Sequence, residues 1–334
     1  MSVIWHGRDD SADSGDTRRW HHVVQDFGPG ADEGVALIGF ACDEGVRRNG
    51  GRSGAAEGPA VLRAALANLP LAGEPMLYDA GDIACEGTAL EAMQAALGER
   101  VARVRAQGVL PLVLGGGHEM AWGTFQGLVP ALATGRRLAI VNLDAHFDLR
   151  EAPAGNSGTP FRQMHDWCIE HGAAFDYFAL GISRYSNTRA LFDRAAGFGV
   201  HFWPDDALQD PAGADAAGAA LASGLASADD VYLTVCLDVL PGEKAPGVSA
   251  PAALGVPLAC IERIVDAVMR SGRIVAADIA EFNPRFDRDG LTARVAARLA
   301  ARIARGSTQA TAPSLRSPPA PAAPHGSSKP SRST

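Results

Sequence analysis

Six short apolar runs alternate with longer stretches of helical periodicity along this chain. The runs are VALIGF (35–40), VLPLVL (109–114), LAIVNL (138–143), DYFALGI (176–182), VYLTVCL (231–237) and RIVAADI (273–279). Because their apolar residues are consecutive, the runs are typical of strands covered on both faces. The stretches 88–107 and 258–272 carry apolar residues at 3.6-residue spacing, which predicts amphipathic helices. The alternation predicts an α/β fold of three layers, with a mostly parallel sheet between two layers of helices.

Composition supports one large globular unit. The chain has 334 residues, of which 47% are hydrophobic and 20% charged, enough to bury a large core. We expect an N-terminal extension over 1–34 and a single domain over 35–306, because no long linker interrupts that range. From 307 to 334 the chain is rich in Pro, Ser and Ala and has little apolar surface to bury, which predicts a disordered tail.

The net charge and the cysteine content indicate which kinds of binding partner this protein can have. The net charge is −8 and no basic cluster is present, which argues against nucleic acid and anionic membranes. No apolar run reaches the roughly 18 to 20 residues that span a bilayer, and the N-terminus shows no signal pattern, so we expect a cytoplasmic protein. The five cysteines are scattered without a CxxC pair, which indicates reduced thiols. A small-molecule partner is the remaining expectation.

Three of the apolar runs are followed by side chains that bind metals. GGGHE follows the second run, DAHFD follows the third, and the fifth ends in a cysteine and an aspartate; the candidate ligands are His118, Asp144, His146, Asp148, Cys236 and Asp238. The carboxyl ends of parallel strands meet at one edge of a sheet, so these side chains should converge. The two-residue spacing within DAHFD places its ligands on one side if the backbone stays extended.

A metal centre explains this cluster better than separate structural roles do. A lone His or Asp is more often a hydrogen-bonded residue or a helix cap. Two aspartates and a histidine on one side of a buried strand end, however, would carry a high desolvation cost and mutual repulsion without a cation. Carboxylate and imidazole ligands suit Mn(II) or Zn(II), and shared carboxylates suit two ions about 3.5 to 4 Å apart that activate a water molecule.

The glycines before His118 are not a nucleotide-binding loop. Gly115, Gly116 and Gly117 lack the Lys-Ser/Thr ending of a P-loop and the GxGxxG spacing of a dinucleotide fingerprint. We interpret them as positions where another backbone segment approaches closely.

The same segments resemble a known enzyme family. GGGHE, DAHFD and LDVLPGEKAPGVSAP are similar to the signature segments of the ureohydrolases, which include arginases, agmatinases and formimidoylglutamases; the stretches GVRRNGGRSGAAEGP (45–59), GNSGTPFRQ (155–163) and AEFNPRFDRDGLTARVAARL (280–299) resemble the formimidoylglutamase branch. The resemblance implies an arginase-like fold and hydrolysis of N-formimidoyl-L-glutamate to L-glutamate and formamide in histidine degradation. The alternatives are another ureohydrolase activity (agmatinase, arginase or guanidino-acid hydrolase) or a weakly active or non-catalytic relative.

The resemblance also implies a pair of Mn(II) ions. Five positions match the ligands of that family, namely His118, Asp144, His146, Asp148 and Asp238, but Cys236 stands where the family usually has a second bridging aspartate. A thiolate at this position would favour zinc or iron. A neutral thiol would leave one ion weakly bound, and an inert core cysteine would leave a site for one ion or none. We expect weak or altered ligation by Cys236.

Roles in catalysis follow from the resemblance as well. It implies that Asp148 both ligates metal and moves a proton, and that Glu281 accepts hydrogen bonds from the amidinium nitrogens of the substrate. Asn156 and Ser157 resemble the loop that binds the amino-acid end of the substrate in relatives.

The substrate carries two carboxylates, and an acidic protein must supply cations for them locally. Arg184 follows the fourth apolar run, and an arginine can bind a carboxylate through two parallel hydrogen bonds. We therefore predict Arg184 and its neighbour Asn187 in the substrate site, although Asn187 also fits a helix cap. By analogy with relatives, we expect a homo-oligomer.

Overall fold

The computed structural model describes residues 5–309 of the chain. A nine-stranded sheet runs through it, in the order β1-β3-β2-β4-β9-β8-β5-β6-β7, and all neighbouring strands pair in parallel. The strands are β1 (Gln25–Asp26), β2 (Val35–Ala41), β3 (Leu77–Ala84), β4 (Leu110–Leu114), β5 (Leu138–Leu143), β6 (Asp176–Ile182), β7 (His201–Pro204), β8 (Asp230–Cys236) and β9 (Ile274–Ala280).

Helices cover both faces of this sheet. They are α1 (Glu44–Arg48), α2 (Gly58–Ala67), α3 (Leu90–Arg105), α4 (Met120–Gln126), α5 (Val129–Leu132), α6 (Pro160–His171), α7 (Arg189–Gly197), α8 (Pro211–Gly224), α9 (Leu258–Met269) and α10 (Leu291–Gln309). Apolar residues of α2, α8, α9 and α10 pack on one face, and those of α3, α4, α6 and α7 pack on the other. The predicted three-layer α/β architecture with a parallel sheet is confirmed.

Two separate cores explain why the strands are apolar at consecutive positions. In β2, Val35 and Leu37 belong to one core, whereas Ala36, Ile38 and Phe40 belong to the other. Successive side chains of a strand point to opposite faces, so a strand between two helical layers must be apolar on both.

All six predicted strands are present, and the sheet has three more. The additional strands β1, β3 and β7 are short or interrupted by polar residues. The last helix continues to Gln309 and so includes the first three residues of the predicted tail, and the rest of that tail (310–334) lies outside the described residues. None of the described helices combines the length and apolarity needed to cross a membrane.

Four central strands bring the candidate ligands together. β4, β9, β8 and β5 are consecutive neighbours in the sheet, and each is followed at its carboxyl end by polar residues of the predicted site. In open parallel sheets this edge is where loops form a crevice.

Candidate active site

The loop after β4 positions His118 because its glycine backbone fits between the ends of β2 and β9. Gly115 N donates to Ile279 O at 2.7 Å, and Gly116 N donates to Phe40 O at 3.0 Å. A Cβ on Gly116 would lie 2.5 Å from that Phe40 oxygen, closer than real contacts allow. The structure thus agrees with the interpretation of these glycines as positions of close backbone approach, and the loop delivers His118 to the strand edge.

The loop after β5 does not have the extended backbone that was expected from the two-residue spacing of Asp144, His146 and Asp148. The strand ends at Leu143, and Asp148 has a left-handed backbone with φ of 48°. For a residue other than glycine this conformation costs on the order of 1–3 kcal/mol, and such strain is concentrated at functional sites. Asp144, His146 and Asp148 still converge, but a turn rather than strand alternation aims them.

The end of β8 likewise turns instead of continuing. Cys236 is the last residue of the strand, and Leu237–Val239 form a single 3₁₀ turn that carries Asp238. Both side chains are almost fully buried, at 1% and 4% exposure.

The ligand atoms form two overlapping sets. In one, atoms of His118, Asp144 and Cys236 lie within 4.8 Å of one another, and in the other, atoms of Asp144, His146 and Asp238 do. His118 Nδ1 lies 3.0 Å from carboxylate oxygens of both Asp144 and Asp148. Two sets that share one aspartate are the arrangement expected for two adjacent cations.

The cluster fits divalent cations because carboxylate oxygens converge on it and one of them lacks a partner. His118 Nδ1 faces carboxylate oxygens of both Asp144 and Asp148, and Asp238 Oδ1 is buried and makes no hydrogen bond within the described residues. Leaving buried polar atoms unpaired costs about 1–3 kcal/mol each, more for charged groups. Carboxylate, imidazole and thiol donors are metal ligands, and a bound cation would satisfy this oxygen.

The pKa values of the two histidine ligands also indicate a site suited to cations. Burial lowers the pKa of His118, but the hydrogen bonds and charges of Asp144 and Asp148 outweigh it and raise the pKa well above its usual value. His146 behaves alike, because the charge of Asp238 and hydrogen bonding to Asp144 overcome burial. Without metal, protons on the imidazoles balance the carboxylates; bound cations would displace them.

Cys236 faces this cluster. Its sulfur belongs to the first ligand set, and it lines the cleft described below. Burial, followed by the charges of Asp144 and Asp238, raises the pKa of the Cys236 thiol well above its usual value. In the metal-free protein Cys236 is therefore a neutral thiol at a ligand position.

Glu281, after β9, is held in the same region. Its backbone is left-handed with φ of 68°, and its Oε1 accepts a hydrogen bond from His118 N at 2.9 Å. Its Oε2 is buried without a partner in the described part of the chain. Burial and then the charges of Glu119 and Asp238 raise the pKa of Glu281 to about 8. The free oxygen can accept hydrogen bonds from a cationic ligand.

A cleft of about 300 Å³ opens over the cluster. Its lining includes the ligands His118, His146, Asp148, Cys236 and Asp238, together with Glu281 and four residues outside the metal set, Arg52, Arg150, Ser157 and Ser249.

Arg150 also lines the cleft, although it was not among the substrate residues predicted from the sequence. Its side chain is exposed and makes no hydrogen bond or ion pair with residues 5–309. By contrast, the Arg52 guanidinium donates to backbone carbonyls of Val248 and Ser249. The available signal was position, because Arg150 follows DAHFD by two residues.

The predicted substrate residues divide into two groups. Ser157 lines the cleft, and its neighbour Asn156 is buried with its Oδ1 accepting from Gly158 N at 2.9 Å. Arg184 is exposed, is not part of the cleft lining and approaches Asp206 at 4.0 Å. Asn187 is also not part of the lining, and its amide bonds three backbone groups, Phe147 N, Ala145 O and Ser183 O. Arg184 therefore lies outside the cleft, and Asn187 holds the backbone on either side of His146 without lining the cleft itself.

Comparison with known proteins gives a consistent result. The arginase-family sequence profile matches residues 33–305. The formimidoylglutamase of Cupriavidus pinatubonensis is 51% identical over 306 residues, which cover 90% of this chain and 96% of the relative, and that of Chromobacterium violaceum is 50% identical, covering 90% and 97%. The crystal structure of Trypanosoma cruzi formiminoglutamase with Mn²⁺ superposes with a TM-score of 0.74 at 27% identity, covering 85% of this chain and 95% of that one.

Proposed function

The chain belongs to the arginase family, and we propose that it hydrolyses N-formimidoyl-L-glutamate to L-glutamate and formamide, a step of histidine degradation. Relatives of about 50% identity bear the name of that activity. One observation carries the proposal at the level of the site: a single cleft combines the metal-ligand set with Glu281 and Arg150. A carboxylate suits the amidinium of this substrate, and a guanidinium suits its carboxylates.

The proposed cofactor is a pair of Mn(II) ions held by His118, Asp144, His146, Asp148 and Asp238, with Cys236 at the sixth position. Bound there, the cations would supply Lewis-acid activation of a water molecule at neutral pH. Zinc or iron is the alternative, because a sulfur ligand favours softer ions.

Glu281 would orient the substrate. Its Oε1 is engaged by His118 N, so the unpartnered Oε2 is the atom that accepts from the amidinium. A bound cation lowers the pKa of a neighbouring carboxyl, so Glu281 would be ionised in the complex although its pKa in the free protein is about 8.

Asp148 would move the proton. The resemblance to the family supports this role, and in the metal-free protein burial, followed by the charge of Asp144, raises the pKa of Asp148 to about 6. Water adds to the formimidoyl carbon, and the bond from that carbon to the glutamate nitrogen breaks. The Asp148 carboxylate takes one proton from the water and passes it to the leaving nitrogen. The hydroxyl on the former formimidoyl carbon loses the second proton as the carbonyl of formamide forms, and this proton converts the released amine to the ammonium form of glutamate.

Arg150 would bind a carboxylate of the substrate. Its backbone N donates to Gly158 O at 2.8 Å, which ties it to the loop that carries Ser157. The Ser157 hydroxyl accepts from Asn49 Nδ2 at 3.1 Å and also lines the cleft. This arrangement favours an amino-acid substrate over agmatine, which has no carboxylate. A cytoplasmic location and a homo-oligomer stay predictions.

A substrate panel tests the proposal. Protein reconstituted with Mn(II) should release glutamate and formamide in equal amounts from N-formimidoyl-L-glutamate, and should release no urea from arginine, agmatine or 4-guanidinobutanoate. Urea release from one of these three compounds that is faster than glutamate release from N-formimidoyl-L-glutamate would place the activity in another branch of the family. Absence of turnover with Mn(II), Zn(II) and Fe(II) alike would indicate a non-catalytic relative, which is the second candidate that Cys236 raises.

A further inference from the structure

Two buried side chains outside the cleft hold the loop that carries His146 and Asp148. They are Asn187, in the turn between β6 and α7, and Tyr177, within β6. Asn187 is 7% exposed and Tyr177 is fully buried. Neither side chain is part of the cleft lining, so any effect on the site must be exerted through the loop.

The Asn187 amide bonds the backbone on both sides of His146. Its Nδ2 donates to Ala145 O at 2.9 Å, and its Oδ1 accepts from Phe147 N at 3.1 Å. A residue of a neighbouring parallel strand makes the same pair of bonds to the two residues that flank its partner. Because β5 has already ended at Leu143, the Asn187 side chain takes the place of a strand beside His146.

Both protons of the Asn187 amide go to backbone carbonyls. Nδ2 donates to Ser183 O at 2.9 Å as well as to Ala145 O. Ser183 N in turn donates to Ala145 O at 3.0 Å. These bonds tie the loop after β5 to the turn after β6. They need two donors and one acceptor on a short side chain, and neither a carboxylate nor a hydroxyl of similar size supplies all three.

Tyr177 bonds the following peptide group of the same loop. Its hydroxyl donates to Phe147 O at 3.1 Å and accepts from Asn142 Nδ2 at 2.9 Å. Since Asn187 holds the N–H of Phe147, both backbone groups of this residue are bonded to side chains. The next residue is Asp148, whose backbone is left-handed.

We propose that Asn187 and Tyr177 are positioning residues for the metal site, which hold this loop so that the ligand atoms of His146 and Asp148 meet the cluster. The inference rests on the proposed metal site. A strained backbone such as that of Asp148 persists only where its surroundings fix it, and the two side chains supply that restraint. Partners of this kind usually bond the ligand itself, whereas these bond the peptide groups beside the ligands.

Asn187→Ala tests the proposal most directly. Without the amide, His146 loses its fixed position, and we expect the affinity for one of two Mn(II) ions to fall by about 100-fold, the upper end of the usual effect of an orienting partner. The affected ion is the one expected at Asp144, His146 and Asp238. Calorimetric titration of the metal-free protein measures the affinities, and EPR spectroscopy distinguishes a coupled pair of Mn(II) ions from a single ion.

Asn283→Ala is the matched control. Asn283 is 1% exposed, and its amide also bonds two backbone groups, donating to Arg52 O at 2.8 Å and accepting from Arg285 N at 3.2 Å. Neither group belongs to the loop that carries His146. The variant should lower thermal stability and leave Mn(II) affinity unchanged. An equal loss of affinity in Asn187→Ala and Asn283→Ala would reduce the effect to general destabilisation and overturn the proposal.

Tyr177→Phe keeps the test decisive if Asn187→Ala does not fold. It removes a single hydroxyl and should weaken Mn(II) binding by about 10-fold. Tyr232→Phe is its control, because Tyr177 and Tyr232 are the fully buried cross-strand partners of Ile140 on its two sides. The Tyr232 hydroxyl, however, donates to Asp278 and not to the loop. Tyr232→Phe should therefore keep wild-type affinity.

The outcomes separate this inference from the proposed function. Wild-type Mn(II) affinity in Asn187→Ala, or in Tyr177→Phe where the first variant does not fold, would overturn the positioning role alone. Failure of the wild-type protein to bind Mn(II) would overturn the metal site and the inference together. Since the readout is metal affinity and not turnover, a wrong substrate affects neither result.

Discussion

Two buried clusters of charge in this protein are built in opposite ways. In the closed cluster, Arg63 of α2 meets Asp79 of β3 through two hydrogen bonds of 2.8 and 3.0 Å and meets Asp82 at 2.5 Å. Asp79 also accepts from Trp5 Nε1 and Gly81 N, both at 2.9 Å. In the open cluster at the ends of β4, β9, β8 and β5, one buried carboxylate oxygen each of Asp238 and Glu281 has no partner in the described residues.

The difference separates stability from function. Every hydrogen-bonding atom of a satisfied ion pair is used by the fold itself, so removing one member leaves the other as an uncompensated buried charge. Atoms left unpaired at a strand edge are unfavourable for folding alone and become favourable when a cation or substrate binds. Variants of the two clusters should therefore change different observables.

The largest expected effect is on stability, from the closed cluster. Arg63→Met should reduce the free energy of unfolding by about 3–5 kcal/mol, because the buried Asp79 loses its counterion. Mn(II) affinity of the folded protein should not change. Urea unfolding and metal titration measure the two quantities, and a loss of stability below about 1 kcal/mol would contradict the contrast.

Asp238→Asn is the counterpart in the open cluster. Burial and the charge of Asp144 raise the pKa of Asp238, and a carboxyl with a raised folded-state pKa opposes folding increasingly as the pH rises above its unfolded value. Its removal should leave the neutral-pH stability of the metal-free protein no lower than wild type. Mn(II) affinity should fall by more than about 100-fold, since a ligand is lost rather than its orienting partner.

The third prediction concerns substrate binding by Arg150, whose guanidinium has no protein partner within residues 5–309. Arg150→Met should raise KM for N-formimidoyl-L-glutamate by about 10- to 100-fold, on the 1.5–3 kcal/mol of a hydrogen bond to a charged group. Stability should not change, because Arg150 has no protein partner within residues 5–309. Arg184→Met is the matched control, and a larger effect on KM from Arg184 than from Arg150 would restore the original prediction.

The comparison also explains which features the sequence could reveal. Apolar runs flanked by ligand-type residues are local signals, and they predicted six of the strands and five side chains that the structure brings within ligand distance of one another. β3 escaped detection because Asp79, Gly81 and Asp82 interrupt its apolar pattern. Those residues make sense only with Arg63, which lies 16 positions from Asp79.

Position along the chain did not by itself distinguish the arginine of the cleft, Arg150, from Arg184. Arg184 and Arg150 both follow strands, β6 and β5, but only β5 is among the four neighbours that bear ligands. Strand order is a tertiary property. The turn that aims Asp148 through a positive φ was equally hidden, because the two-residue spacing within DAHFD suggested an extended backbone.

The smallest expected effect is on metal affinity, from Cys236. This side chain lies in the open cluster, but as a protonated thiol it is not ready to bind a metal. A thiol whose pKa is raised by burial and by neighbouring carboxylates must lose its proton before it can ligate, and this weakens binding of the metal. Cys236→Asp should tighten Mn(II) binding by about an order of magnitude and reduce the preference for Zn(II). Cys236→Ser, a neutral replacement of similar size, should not gain Mn(II) affinity. Competitive titration with both metals measures the change, and equal Mn(II) affinity in wild type and Cys236→Asp would show that position 236 does not contact metal.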